Sequence, residues 1–114
     1  MSAIEIAQHY FDLSNESDFE RIQLLFSEST TYRSGNGELF LGVKDIMVMQ
    51  KSYHGLFDRL NWQVNSIDEI KPGIILIDFN FEGNSKLGEK VEYSGLESII
   101  IYGGKIQHID VSRK

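Results

Sequence analysis

Chemistry in this chain would begin with Glu97. The stretch VEYSGLESIIIYGGKIQHIDV, residues 91–111, reads as a long strand, a tight turn at Gly103-Gly104 and a returning strand. Under a period of two, Val91, Tyr93, Gly95, Glu97, Ile99 and Ile101 share one face, and Glu92, Ser94, Leu96, Ser98, Ile100 and Tyr102 the other. A carboxylate in the apolar row stands either at the rim of a sheet or inside a cavity. His54 is the second candidate. It lies on one side of a helical stretch with Val43, Ile46, Met47, Gln50, Tyr53 and Phe57, where it is either a candidate general base or a half-buried packing residue. His108 and Asp110, two apart on one strand face, could share a metal. No third ligand accompanies them, so no metal is expected and a polar outer face of the sheet is the simpler reading.

Composition narrows the functional classes. A chain of 114 residues is one domain's worth, 1–114, and can bury a core without staples. The absence of cysteine removes disulfides, thiolate metal sites and a cysteine nucleophile. Eleven basic against seventeen acidic residues give a formal charge of −6 and no basic stripe, which argues against nucleic acid and an anionic membrane surface. No basic leader with an apolar run begins the sequence and no apolar stretch is long enough to cross a bilayer, so a cytoplasmic protein is expected.

The elements that must position these residues follow from local signals. Ser2-Ala3-Ile4-Glu5 is a capping box, and Ala3, Ile6, Ala7, Tyr10 and Leu13 then recur at helical spacing, predicting a helix over 3–13. Ser17-Asp18-Phe19-Glu20 reads as a second box opening a short helix with Phe19, Ile22, Leu25 and Phe26 inward. Residues 29–33 predict a short strand, 34–37 a turn, and 38–41 a partner strand before Gly42 opens the third helix. From Asn61 the pattern is strand throughout: 61–70, a turn at Pro72-Gly73, then 74–82 with Ile75, Ile77, Phe79 and Phe81 on one face. Helices at the front and a meander behind predict an α+β fold, a strongly curved sheet wrapped around the N-terminal helices and enclosing a cavity.

With that order, the chain resembles the nuclear transport factor 2-like superfamily, the cone-shaped fold that includes ketosteroid isomerases and SnoaL-type polyketide cyclases. The resemblance spans essentially the whole chain. It rests on Tyr10-Phe11-Asp12-Leu13 followed by Ser17-Asp18-Phe19-Glu20, and on Phe40-Leu41-Gly42-Val43-Lys44-Asp45-Ile46 at the entry to helix three. These are signatures of fold rather than of catalysis. The resemblance implies that Tyr10 matches the isomerases' helix-one tyrosine and Glu97 their strand acid, the pair that grips an enolate oxygen. Their base position falls on Arg33. A guanidinium cannot act as a general base at neutral pH, which argues against the standard isomerase mechanism.

The site expected from this resemblance places Tyr10, Arg33 and Glu97 in one cavity with His54 at its mouth. Met47, Phe79, Phe81, Tyr93, Ile109 and Val111 would supply apolar walls. Either these polar groups fix a ligand in the pocket, or Arg33 and Glu97 pair with each other or reach solvent at the rim while Tyr10 merely packs; with a guanidinium beside it Glu97 would stay ionised. The expected function is a SnoaL-like pocket protein for a small hydrophobic molecule, with acid–base chemistry on a carbonyl-bearing or polyketide-like ligand and no cofactor. The alternative is a non-catalytic dimeric binding or interaction module of the same fold. The resemblance also implies a homodimer through the outer sheet face, where Leu96, Ile100 and Tyr102 project.

Overall fold

The computed structural model describes residues 1–114. The chain runs α1 (Ala3–Asn15), α2 (Phe19–Ile22), a 3-10 turn (Gln23–Leu25), β1 (Thr31–Arg33), β2 (Leu39–Leu41), α3 (Gly42–His54), β3 (Phe57–Lys71), β4 (Ile74–Ser85), β5 (Lys90–Tyr102) and β6 (Lys105–Arg113). The expected α+β class and the order of elements are both observed. All six strands form one mixed sheet in the order β2-β1-β6-β5-β4-β3. Every neighbouring pair is antiparallel except β1 with β6.

Local chemistry starts the helices much as the residue types suggest. The Ser2 hydroxyl accepts from the Glu5 amide at 3.2 Å while the Glu5 carboxylate accepts from the Ser2 amide at 2.9 Å, a complete capping box. At the second helix the cap is Asp18 rather than Ser17: Asp18 accepts from the Arg21 amide at 3.3 Å. Ser17 instead takes a left-handed conformation, with φ of 52°. A serine tolerates that at some cost, and its hydroxyl is used elsewhere. Helix α3 ends at His54, and Phe57 begins β3 instead of closing the helix.

The long strands bend. Register shifts interrupt β3 against β4 at three places and β5 against β6 between Ile100 and Ile101. Such bulges add twist and curl a sheet around what covers it. Gly95 contributes differently: a Cβ there would lie 2.6 Å from Phe79 Cζ and 2.8 Å from the Ser112 carbonyl oxygen. Its lack of a side chain lets the Phe79 ring lie across β5. The concave face gathers Ile75, Ile77, Phe79, Phe81, Ile99, Ile101, Ile106 and Ile109 against Ile6, Ala7, Tyr10, Phe11 and Leu13 of α1 and Ile46 and Met47 of α3. Asn15, at the end of α1, ties the helix to the sheet. Its amide donates to the Trp62 carbonyl at 2.9 Å and accepts from the Trp62 amide at 2.6 Å, occupying backbone groups on the outer edge of β3.

Candidate functional site

Between α1, α3 and the concave sheet face lies a cavity of about 460 Å³. Helix α1 contributes Tyr10, Phe11 and Ser14, and α3 contributes Met49, Gln50, Tyr53 and His54. The strands add Tyr32, Phe40, Trp62, Phe79, Tyr93, Glu97, Val111 and Arg113, and the β1–β2 turn adds Ser34, Gly35, Asn36 and Glu38. Burial separates two ends. Tyr10, Phe11, Phe79 and Glu97 are buried and form the floor, whereas Gly35, Asn36, Glu38, Leu56 and Arg113 are exposed and form the rim.

Glu97 dominates the floor. The residue is only 4 % exposed, and its carboxyl makes neither an ion pair nor a hydrogen bond. Burial raises its pKa to about 8, so it is a neutral acid at pH 7 and a hydrogen-bond donor. Tyr10 lines the same floor. Its hydroxyl is held protonated well above the usual phenol range, first by burial and then by the charge Glu97 would carry, against smaller opposing hydrogen bonds from Gln50 and Ser14. Gln50 Nε2 donates to the Tyr10 oxygen at 2.7 Å, which leaves the Tyr10 proton for another acceptor. Two fully buried side-chain oxygens have no partner, Glu97 Oε2 and Gln50 Oε1. Buried groups of this kind are rare away from sites where something else satisfies them, because each costs about 1–3 kcal/mol. The floor thus presents two donors, Glu97 and Tyr10, and one free acceptor, Gln50.

His54 sits to one side of this group. Ser17 Oγ and His54 Nδ1 lie 2.8 Å apart, and the ring is enclosed by Phe19 and Trp62 at centroid distances of 4.9 and 5.2 Å. Burial lowers its pKa to about 4, so the imidazole is neutral and weakly basic at physiological pH. It borders the cavity as well as packing. Tyr53 and Tyr93 share a hydroxyl hydrogen bond of 2.9 Å nearer the rim. Arg113 places its guanidinium carbon 4.1 Å from the Tyr93 ring centroid.

Of the residues singled out in the sequence, Tyr10, Glu97, His54, Phe79, Tyr93 and Val111 line the cavity. Arg33 does not. It is exposed on the opposite face of β1 and donates from Nη1 to the Gly37 carbonyl at 3.2 Å. The strand parity is reversed from the expected one because β1 pairs parallel to β6, with Tyr32 opposite Ile109 and Arg33 opposite Asp110. Thr30 is wholly buried and its hydroxyl donates to the Ile106 carbonyl at 2.7 Å, which locks residues 30 and 32 inward. Tyr32 therefore occupies the inward position, and burial keeps its phenol protonated. With Arg33 outside, Glu97 has no cation and is neutral rather than ionised. Met47, Phe81 and Ile109 are core residues that do not border the cavity. Phe81 stacks on Tyr93 and meets Trp62 at a tilt, with ring centroids 4.9 Å from each. Thr31, on the outer face with Arg33, has its hydroxyl 2.6 Å from His108 Nδ1. Gln50, Tyr32 and Arg113 are among the cavity residues that the sequence did not single out. The one available signal was Tyr32, an aromatic between threonine and arginine in a three-residue strand.

No family model matches this sequence, and no curated protein does. Solved structures do. The chain superposes with a TM-score of 0.87 on a candidate SnoaL-like polyketide cyclase from Shewanella putrefaciens, at 10% identity over 97% of this chain and 88% of that one. An NTF2-like protein of unknown function from Exiguobacterium gives 0.85, at 17% identity over 96% and 98% of the two chains. An LEH-like epoxide hydrolase from M. tuberculosis gives 0.86, at 11% identity over 98% and 82%. At such identities the likeness is one of fold.

Proposed function

We propose that this chain, which has the fold of the nuclear transport factor 2-like superfamily, is a small-molecule pocket protein that holds a hydrophobic ligand by a carbonyl or phenolic oxygen. The observation that carries this is Glu97, buried, unpartnered and neutral at pH 7 in the same cavity floor as Tyr10. A ligand oxygen placed between them accepts two hydrogen bonds from groups that need no reorganisation, and the aromatic walls shed water around its rings. Two donors on a carbonyl also draw charge onto its oxygen, which is the electrophilic half of enolisation or of addition chemistry. The complementary base is weak here, since His54 stays neutral down to about pH 4 and Arg33 lies outside. Binding with polarisation is therefore the reading best supplied with side chains. The structural neighbours described as candidate polyketide cyclases agree with a carbonyl-rich ligand class.

The test uses 2-acetylnaphthalene, whose carbonyl does not ionise, titrated by tryptophan fluorescence or calorimetry. Replacing Glu97 with Leu, or Tyr10 with Phe, is expected to weaken binding by about 1–2 kcal/mol each, the net worth of one hydrogen bond to a neutral group. Raising the pH through about 8 ionises Glu97, removes its donated hydrogen and weakens binding to the wild type. Glu97→Gln retains a donor and loses that pH dependence. Affinity indifferent to both substitutions, or rising with pH, would refute the donor pair.

A further inference from the structure

We propose that the ligand carries an anionic group, a carboxylate in the simplest case, at the end opposite its oxygen on Glu97, and that Arg113 receives it at the cavity rim. This rests on the reading of the floor given above and adds the other half of the ligand.

The inward row of β6 starts apolar, with Ile109 and Val111, and ends in Arg113. Register fixes its height above the floor. Val111 pairs with Glu97 and Arg113 pairs with Gly95, so the cation stands one inward row beyond the acid, about 7 Å of strand rise. The arginine side chain extends that span towards the rim, which suits a ligand one or two rings long.

Arg113 makes no ion pair, although the chain carries seventeen acidic residues against eleven basic ones. The next residue, Lys114, shows the contrast: it pairs with Asp78 at 2.6 Å. Glu38 is the one acid among the rim residues, and its Oε1 accepts from Asn36 Nδ2 at 3.3 Å rather than from Arg113. The guanidinium is also held in place. Its Cζ sits 4.1 Å from the centroid of Tyr93, whose hydroxyl is tied to Tyr53, and the stem runs across Gly35, where a Cβ would come within 3.2 Å of Arg113 Cγ. No ion pair or side-chain hydrogen bond occupies its N–H groups, and a free guanidinium fork receives a carboxylate through two parallel hydrogen bonds. Glu97, neutral below about pH 8, does not repel an anion held at the rim above it, and the flanking tyrosines are uncharged there.

Three probes with one ring system test this at pH 7: 2-acetylnaphthalene, 6-acetyl-2-naphthoate, and the 6-aminomethyl analogue, which is a cation. The acid is expected to bind about three- to tenfold more tightly than the neutral ketone, as a partly exposed charged pair allows, and the cation more weakly than either. In Arg113→Gln the acid-to-ketone ratio should fall to near one. In Arg113→Lys it should fall between, because the charge is kept and the fork is lost. An acid no tighter than the ketone, a ratio that survives Arg113→Gln, or a cation that binds best overturns the inference while the floor stands. Ketone and acid affinities both indifferent to Glu97→Leu overturn the floor reading instead, and no binding by any probe at millimolar concentration overturns both.

Discussion

A carboxyl that is buried without a cation leaves a thermodynamic signature. The Glu97 pKa is about 8 in the folded chain against a reference of 4.5. The folded state therefore holds a proton that the unfolded state releases, and the associated stability is complete below pH 4.5 and lost progressively as pH rises to about 8. His54 acts in the opposite direction. Its pKa is about 4 folded against 6.5, so its contribution is present above pH 6.5 and lost as pH falls towards 4. The two oppose each other between pH 4.5 and 6.5, which leaves 6.5 to 8 as the window where Glu97 acts alone. Urea unfolding across that window should show stability falling by about 1–2 kcal/mol in the wild type. Glu97→Gln should flatten the profile. A wild-type profile as flat as that of the variant would mean that Glu97 is ionised and solvated after all.

Elements in this fold are held in place by a few side chains at their ends. Asn15 satisfies both backbone groups of Trp62 on the free edge of β3, so the end of α1 is stapled to the strand that closes one side of the cavity. Asn15→Ala leaves those groups to solvent or unpaired, and a loss of about 1–3 kcal/mol is expected. Amide hydrogen exchange locates the effect: the Trp62 N–H should exchange much faster in the variant, while amides at the centre of β5 change only as global stability does. At the same scale, β1 shows how little a three-residue strand says about its own facing. Residues 31–33 offer no alternation long enough to read, and the parallel partner in β6 chooses the parity. The long strands are the opposite case. In β4 and β5 the buried residues alternate along the segment, so Ile75, Ile77, Phe79, Phe81, Gly95, Glu97, Ile99 and Ile101 can be placed inward from spacing alone.

At the scale of the whole molecule, one question concerns what covers the convex face. Ile100 and Tyr102 are 38 % and 80 % exposed there, beside half-buried Leu96, and no helix of this chain is long and apolar enough to cross a membrane. We expect this face to pair with a second copy, the occupant that an apolar cluster on an acidic chain accommodates most simply. Sedimentation velocity at micromolar concentration should then give a dimer for the wild type and a monomer for Ile100→Asp. A wild-type monomer would leave the cluster as ordinary exposed apolar surface.

Sequence by itself determined the class, the element order and the inward row that carries Glu97, because periodicity over long segments and capping chemistry act locally and survive without knowledge of neighbours. It also put Tyr10 and His54 on inward helix faces for the same reason. Only tertiary structure decided what surrounds Glu97. The register of β1 on β6 sent Arg33 outward and Tyr32 inward, and the curvature brought Gln50 to Tyr10 and Arg113 to the rim. Those are contacts between residues forty or more positions apart, and the protonation state of a carboxyl depends on them. An acid facing a guanidinium is a charge, and the same acid walled off among aromatic rings and hydroxyls is a neutral donor.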